Sequence, residues 1–235
     1  NSMPVRDYSG GHISIIEKMK PYTISYSQKQ AGFVVENTEE VMLVDIDPRT
    51  TDMIKKLKRD LVIAGEKEDI LADTAVKLMS KVHQMCSGTV KFESGNSMVL
   101  DLSKAKYILD KFRGKKIGIF YKFKEELNAL KEVFKEDLCV TLEEFDSTNK
   151  NIALQIQSGR EGISLRRAEA LVYYNIDFSA TSYWQSRDRM TTKDRLKNKL
   201  YWIFSRNGIE KQIYKAVTKK KDYTLSHFKS DIKMI

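Results

Sequence analysis

The sequence predicts an α/β protein: a parallel β-sheet flanked by helices, with a mainly helical elaboration. Three observations predict it. From Lys115 to Lys219, apolar runs of strand length alternate with stretches of helical period, the pattern of a parallel sheet with crossover helices. Ile152-Ala153-Leu154-Gln155-Ile156 and Ala170-Leu171-Val172-Tyr173-Tyr174 are nearly continuous apolar runs, as strands buried on both faces must be. Each stops at a polar loop, Ser158-Gly159-Arg160-Glu161-Gly162-Ile163-Ser164 and Asn175-Ile176-Asp177-Phe178-Ser179. In open α/β sheets the functional loops gather at the carboxyl ends of the strands. Both loops, and the arginines beyond them, are therefore expected along one edge of the fold.

Taken in order, residues 1–20 are polar and glycine-containing and read as a flexible arm, with Asn1-Ser2 ahead of Met3 taken as a cloning remnant. Residues 21–235 read as one domain. Glu40–Asp47 reads as a strand. Pro48 then opens a helix, since proline suits the first helical turn, and Met53, Ile54, Leu57, Leu61 and Val62 carry its period until Gly65 breaks it. A second helix has Ala75, Leu78, Met79, Val82 and Met85 on one face. Thr89–Phe92 and Met98–Leu100 flank a glycine turn and predict a hairpin. A helix over Lys104–Phe112, with Ser103 as its N-cap, closes the mainly helical elaboration, residues 48–112. Lys115–Tyr121 is a strand backed by a helix over Phe123–Phe134, and Cys139–Leu142 is a further strand. Asp146-Ser147 is expected to begin a short helix or turn before the strand at Ile152. Tyr183 to Arg189 should lie at the start of an arginine-rich helix. Lys199–Phe204 is a buried strand, Gly208–Lys219 a helix, and 220–235 a basic tail with a last helix.

Composition bounds the function. Hydrophobic residues make up 41% and charged residues 31%, as in folded globular domains. No apolar run reaches the roughly 18 residues of a membrane-spanning helix, and no signal core opens the chain, so no membrane partner is expected. Cys86 and Cys139 lie far apart and outside metal-ligand spacing, which favours a reducing, cytoplasmic setting with two idle thiols. The scattered His12, His83 and His227 make no metal site. The formal net charge of +9 suits a polyanion partner, because each neutralised phosphate releases condensed counterions. A lysine-rich solvated surface would carry the same charge.

No Gly-x-x-x-x-Gly-Lys-Ser/Thr phosphate loop is present. The sequence instead offers Arg187, Arg189, Lys193 and Arg195 within nine residues, beside Gln185. The planar guanidinium matches phosphate oxygens in two-point geometry and keeps its charge. Brought to a nucleotide held elsewhere, such a group is worth ~10³–10⁵ in phosphoryl transfer. A solvated helix face with Asp188 and Asp194 as partners fits the same cluster. In the loop Ser158-Gly159-Arg160-Glu161-Gly162, two glycines three apart allow free amides to approach a phosphate, or simply make a tight turn.

Together these segments resemble the second RecA-like lobe of a superfamily-two helicase of the Swi/Snf-related branch, a type common in phages and prophages. KKIGIFYKFKEELNAL resembles motif IV and its helix. QIQSGREGISLRRAEALVYYNIDFSA resembles motif V and the following strand, and YWQSRDRMTTKDR resembles motif VI. KLMSKVHQMCSGTV and LDLSKAKYILDKF are similar to the Swi/Snf-type helical stretch upstream. The resemblance implies a RecA-like fold and ATP with Mg²⁺ held mainly by an N-terminal RecA-like lobe of the same full-length chain. It implies Arg189 as the catalytic arginine, with Gln185, Lys193 and Arg195 also at the ATP. It implies DNA, in preference to RNA, against Tyr121, Lys122, Ser158, Gly159, Arg160, Glu161 and Gly162. The isolated chain is expected to be inactive. The family's second motif VI arginine falls at Thr192, which leaves open a non-catalytic nucleic-acid-binding module. Trp184 is read as packing.

Overall fold

The computed structural model describes residues 36–157, 165–188 and 197–235; the expected arm, 1–20, lies outside them. The described elements run β1 (Glu36–Val44), α1 (Pro48–Asp60), β2 (Val62–Ile63), β3 (Ile70–Leu71), α2 (Ala75–Cys86), β4 (Thr89–Lys91), β5 (Ser97–Val99) and α3 (Ser103–Lys111). They continue with β6 (Ile117–Tyr121), α4 (Lys124–Phe134), β7 (Leu138–Cys139), α5 (Leu142–Ser147), β8 (Asn151–Gln155), β9 (Ala170–Tyr173), α6 (Ala180–Asp188), β10 (Lys197–Ser205), α7 (Ile209–Val217) and α8 (Leu225–Asp231).

Six strands form one parallel sheet in the order β1-β10-β9-β6-β8-β7. Side chains alternate across it, because successive Cβ atoms of a strand point to opposite faces. Phe120, Tyr173 and Trp202, from three neighbouring strands, stack on one face with ring centroids 4.9 and 4.2 Å apart. That face is covered by Leu57 of α1, Val82 and Met85 of α2, Ile213 of α7 and Phe228 of α8. Ile119, Val172 and Ile203 point the other way, onto Ile108 of α3 and Leu130 of α4. Gly118 is where β6 needs a hydrogen for a side chain: a Cβ there would lie 2.6 Å from Cδ1 of Leu165.

Several local expectations are corrected. The first helix stops at Asp60, because Leu61 turns left-handed (φ 61°) and its N–H closes on Leu57 O. Val62-Ile63 then pairs antiparallel with Ile70-Leu71, so the 48–112 elaboration carries two small β-ribbons, this one and the expected hairpin β4–β5. Ser103 is not the cap of α3: the Asp101 carboxylate accepts the Ser103 N–H at 2.7 Å, and also the Asp47 N–H at 2.7 Å. Thr141 accepts the Glu144 N–H and starts α5 at Leu142. The strand at Cys139 is therefore shorter than expected, and Asp146-Ser147 ends a helix where it was read as beginning one. Helix α6 begins at Ala180, with Ser179 Oγ accepting the Ser182 N–H at 3.2 Å, so Tyr183 to Asp188 form its body.

Candidate nucleotide and nucleic-acid interface

The chain leaves β6 toward α4 on one side and β9 toward α6 on the other, so a topological switch point lies between the carboxyl ends of β6 and β9. Tyr121 closes β6, half-buried, its hydroxyl pKa raised by burial. Lys122 follows, its Nζ 3.2 Å from Asp177 Oδ1 in the loop after β9. Gln155, the last residue of β8, donates from Nε2 to the Lys122 carbonyl at 3.4 Å. The ends of β6, β8 and β9 thus meet around one lysine. Ser158, Gly159, Arg160, Glu161 and Gly162 lie outside the described residues; on either side of them Ile156 and Leu165 are buried in the core.

Beneath this edge is a buried polar network. Glu126, in the first turn of α4, accepts the Lys122 and Phe123 N–H groups on Oε2, at 2.7 and 3.2 Å. Its Oε1 accepts from Ser87 Oγ at 2.8 Å and Asn175 Nδ2 at 2.6 Å. Because the Asn175 amide nitrogen donates there, its oxygen is left to face Nε2 of His83 at 2.9 Å, and the Ile176 carbonyl lies 3.0 Å from the same nitrogen. Two acceptors on one ring nitrogen fix it as N–H. Burial holds the imidazole pKa down to about 3, whereas burial raises that of the Glu126 carboxyl. Sequence reasoning missed Glu126, Asp177, His83 and Asn175 as site-building residues. The one available signal was Glu126 at the third position of a helix, where an acid reaches back to the cap amides.

Helix α6 is tied down along its length. The Ala180 N–H donates to Asp222 Oδ1 at 2.8 Å, Trp184 Nε1 to the Val217 carbonyl at 3.0 Å, and Tyr173 Oη to the Ser186 carbonyl at 2.7 Å. Glu39 on β1 accepts the hydroxyls of Tyr183 at 2.7 Å and Tyr214 at 3.0 Å. Arg187 Nε lies 3.3 Å from Glu39 Oε2, and its guanidinium sits over the Trp184 ring at 5.1 Å. That approach is a charge contact without hydrogen-bond alignment, since Nε makes no hydrogen bond. Burial and the Glu39 carboxylate push the Tyr214 pKa up to about 12 and raise that of Tyr183 as well. Trp184 packs, as read from the sequence.

Arg187 corrects the single-edge expectation. Asn37, near the start of β1, donates to the Arg187 carbonyl at 3.4 Å. The helix therefore runs back from the carboxyl edge at Ala180 to the amino end of β1, and Arg187 anchors it to the sheet. Gln185 is exposed on the same helix. Arg189, Lys193 and Arg195 lie outside the described residues.

No protein-family model matches the sequence, and no curated protein matches it. Solved structures do. The C-terminal part of the Fun30 ATPase domain superposes with a TM-score of 0.61 at 13% identity, covering 83% of this chain and 92% of that one. The fold is α/β and RecA-like. The Sulfolobus solfataricus SWI2/SNF2 ATPase core domain matches with a TM-score of 0.52 at 16% identity, over 90% of this chain and 50% of that one. The same core in complex with dsDNA gives 0.50 at 14% identity, over 93% and 51%. This lobe thus spans about half of each Sulfolobus chain. A chain from the crystal structure of fission yeast Ccq1 and Tpz1 shares the fold, with a TM-score of 0.51 at 11% identity. Among the described residues of the lobe, no helix is long and apolar enough to cross a membrane.

Proposed function

We propose that this chain is the second lobe of a two-lobed, DNA-dependent ATPase of helicase or translocase type. One observation carries the reading: a parallel α/β lobe without a phosphate loop superposes on nearly the whole of a C-terminal ATPase-domain part. An N-terminal RecA-like lobe of the same full-length chain would hold most of the ATP, which supplies the phosphoryl group, and its Mg²⁺, which would neutralise phosphate charge.

This chain's part is to bring charge to that cleft. Arg189 would set its guanidinium on the terminal phosphates as negative charge spreads over them. Gln185, Lys193 and Arg195 would line the same face. A rigid support favours such a role, because a misplaced charge loses most of its effect, and α6 is fixed at both ends and in its middle. Tyr121, Lys122 and the loop Ser158, Gly159, Arg160, Glu161, Gly162 would contact the phosphates of DNA. The dsDNA complex of the Sulfolobus core and the charge of +9 support DNA as the polyanion.

The chain alone should show negligible ATP turnover, and a two-lobed protein carrying it should hydrolyse ATP when DNA is added. In that protein Arg189→Ala should lower kcat by ~10³-fold or more, with DNA affinity held within about threefold. Arg189-dependent hydrolysis by the pure chain would contradict the half-site reading. Thr192, at the second arginine position, favours a second reading, a non-catalytic nucleic-acid-binding module. That reading would be upheld if Arg189→Ala weakened DNA binding and left hydrolysis unchanged.

A further inference from the structure

We propose that the β4–β5 hairpin is a wall of the nucleic-acid track, and that the cleft between it and the amino end of α4 binds a phosphodiester backbone through Lys91, Lys122 and Lys124. The inference rests on the DNA-binding reading above, which already includes Lys122, and extends it to Lys124 and to Lys91 of the elaboration, which no motif covers. The cleft has a volume of about 410 Å³ and is lined by Gln84 and Lys91 on one side and Lys122 and Lys124 on the other. Lys91 and Lys124 are exposed.

Charge and rigidity both suit an anionic strand. The one acid among the described lining residues, Glu125, already receives Ser97 Oγ at 2.7 Å and Asn128 Nδ2 at 2.9 Å. Its Oε1 ties the hairpin to α4 and its Oε2 bonds within the helix, while Lys91, Lys122 and Lys124 share the lining, Lys122 with its ammonium on Asp177. Gln84 Oε1 accepts the Lys91 N–H at 2.9 Å, and the Lys81 ammonium binds the Lys91 carbonyl, so the strand bearing Lys91 is held at its backbone. At the hairpin tip, Gly95 (φ +91°) has nothing within 4 Å of where a Cβ would stand, so backbone can approach a ligand there. The amino end of α4 adds its partial positive charge. Lys122 makes the cleft continuous with the carboxyl edge, since its carbonyl receives Gln155 at the end of β8. Among the described residues the apolar lining is Val90 and Phe123, which gives no deep anchor pocket of the kind a peptide ligand needs. The partner that fits is a nucleic-acid strand gripped by its phosphates.

The test compares two double charge reversals of equal net change. Lys91→Glu/Lys124→Glu alters the cleft. Lys111→Glu/Lys115→Glu alters exposed lysines near the amino end of β6, on the far-side edge of the sheet at the opposite end of the strands. The probe is a labelled duplex of about 20 base pairs, titrated from low to moderate salt, with thermal midpoints as the folding control. The cleft variant should lose at least tenfold in affinity, and its plot of log K against log salt should flatten by about two units. The far-side variant should lose less than about threefold. Equal losses in both variants would overturn the proposal, because they would report net charge alone. So would polyglutamate binding to the cleft lysines as tightly as the duplex does. If the chain itself shows no salt-dependent DNA binding, the DNA-binding reading fails. If the chain binds and the cleft variant binds equally well, this inference alone fails. A Lys91→Gln/Lys124→Gln pair, expected to lose about half as much in log K, guards against local unfolding by the reversed charges.

Discussion

Just past the end of β9 one amide bridges two buried titratable groups whose pKa values burial shifts. Asn175 donates to Glu126 and so presents its oxygen to His83. His83, fully buried, folds only in its neutral form, with a pKa near 3. The unfolded imidazole takes up a proton near pH 6.5. Protonation therefore favours the unfolded chain: the His83 contribution is complete above pH 6.5 and is lost as pH falls toward 3. Between pH 7 and pH 5 it amounts to about 2 kcal/mol. Glu126, its pKa raised by burial, acts in the opposite sense, its contribution being lost as pH rises. The histidine is isolated by difference: urea midpoints of wild type should fall relative to His83→Gln over this range, and parallel curves would refute the assignment. Glu39 is the comparable residue on the arginine helix. Glu39→Ala leaves two tyrosine hydroxyls without their acceptor and a half-buried guanidinium without its counter-charge, and should lower stability by about 2 kcal/mol in urea titration.

At the scale of elements, α3 and α7 are joined across the sheet end by one buried ion pair. Lys104 Nζ lies 2.7 Å from Glu210 Oε1 and donates to the Tyr174 carbonyl at 3.1 Å. Glu210 also accepts from Ser205 Oγ at 2.9 Å and from the Ser205 N–H at 3.2 Å. Both side chains are within 1% of full burial, so removing one strands the other in low dielectric. Lys104→Met should lower stability by about 3–5 kcal/mol. Adding Glu210→Gln should restore part of that loss, measured as a double-mutant cycle in urea; an additive result would show that the pair does not act as a unit.

For the molecule as a whole, the lysine excess and the parallel sheet predict opposite responses to salt. The fold, held by two apolar cores on either face, should keep its thermal midpoint within a few degrees between low and moderate salt. DNA affinity should fall steeply over the same range. A DNA affinity unmoved by salt would remove the phosphate-gripping account. The two thiols bear on integrity in the same way: Cys86, buried and with a pKa pushed up to about 12, should react with a thiol reagent only as fast as the fold opens. Labelling in the native state faster than global unfolding would show that the elaboration opens separately from the sheet.

By itself the sequence determined the parallel sheet, its helices and the polar ends of its strands, because a strand buried on both faces must be apolar throughout and a surface helix must repeat every 3.6 residues. The same local logic exposed Trp184 as packing and the hairpin at Gly95. Short elements escaped it: the two residues Val62-Ile63 show no period, and nothing local tells that Asp101, two positions before Ser103, takes the first N–H of α3. Only the tertiary structure decided that Glu39 holds Tyr183 and Arg187, 144 and 148 positions away, that His83 faces Asn175 at a strand end, and that Lys91 shares a cleft with Lys122. Those pairings depend on which strands lie side by side. Strand order is fixed by packing the whole sheet, and no local stretch of residues records it.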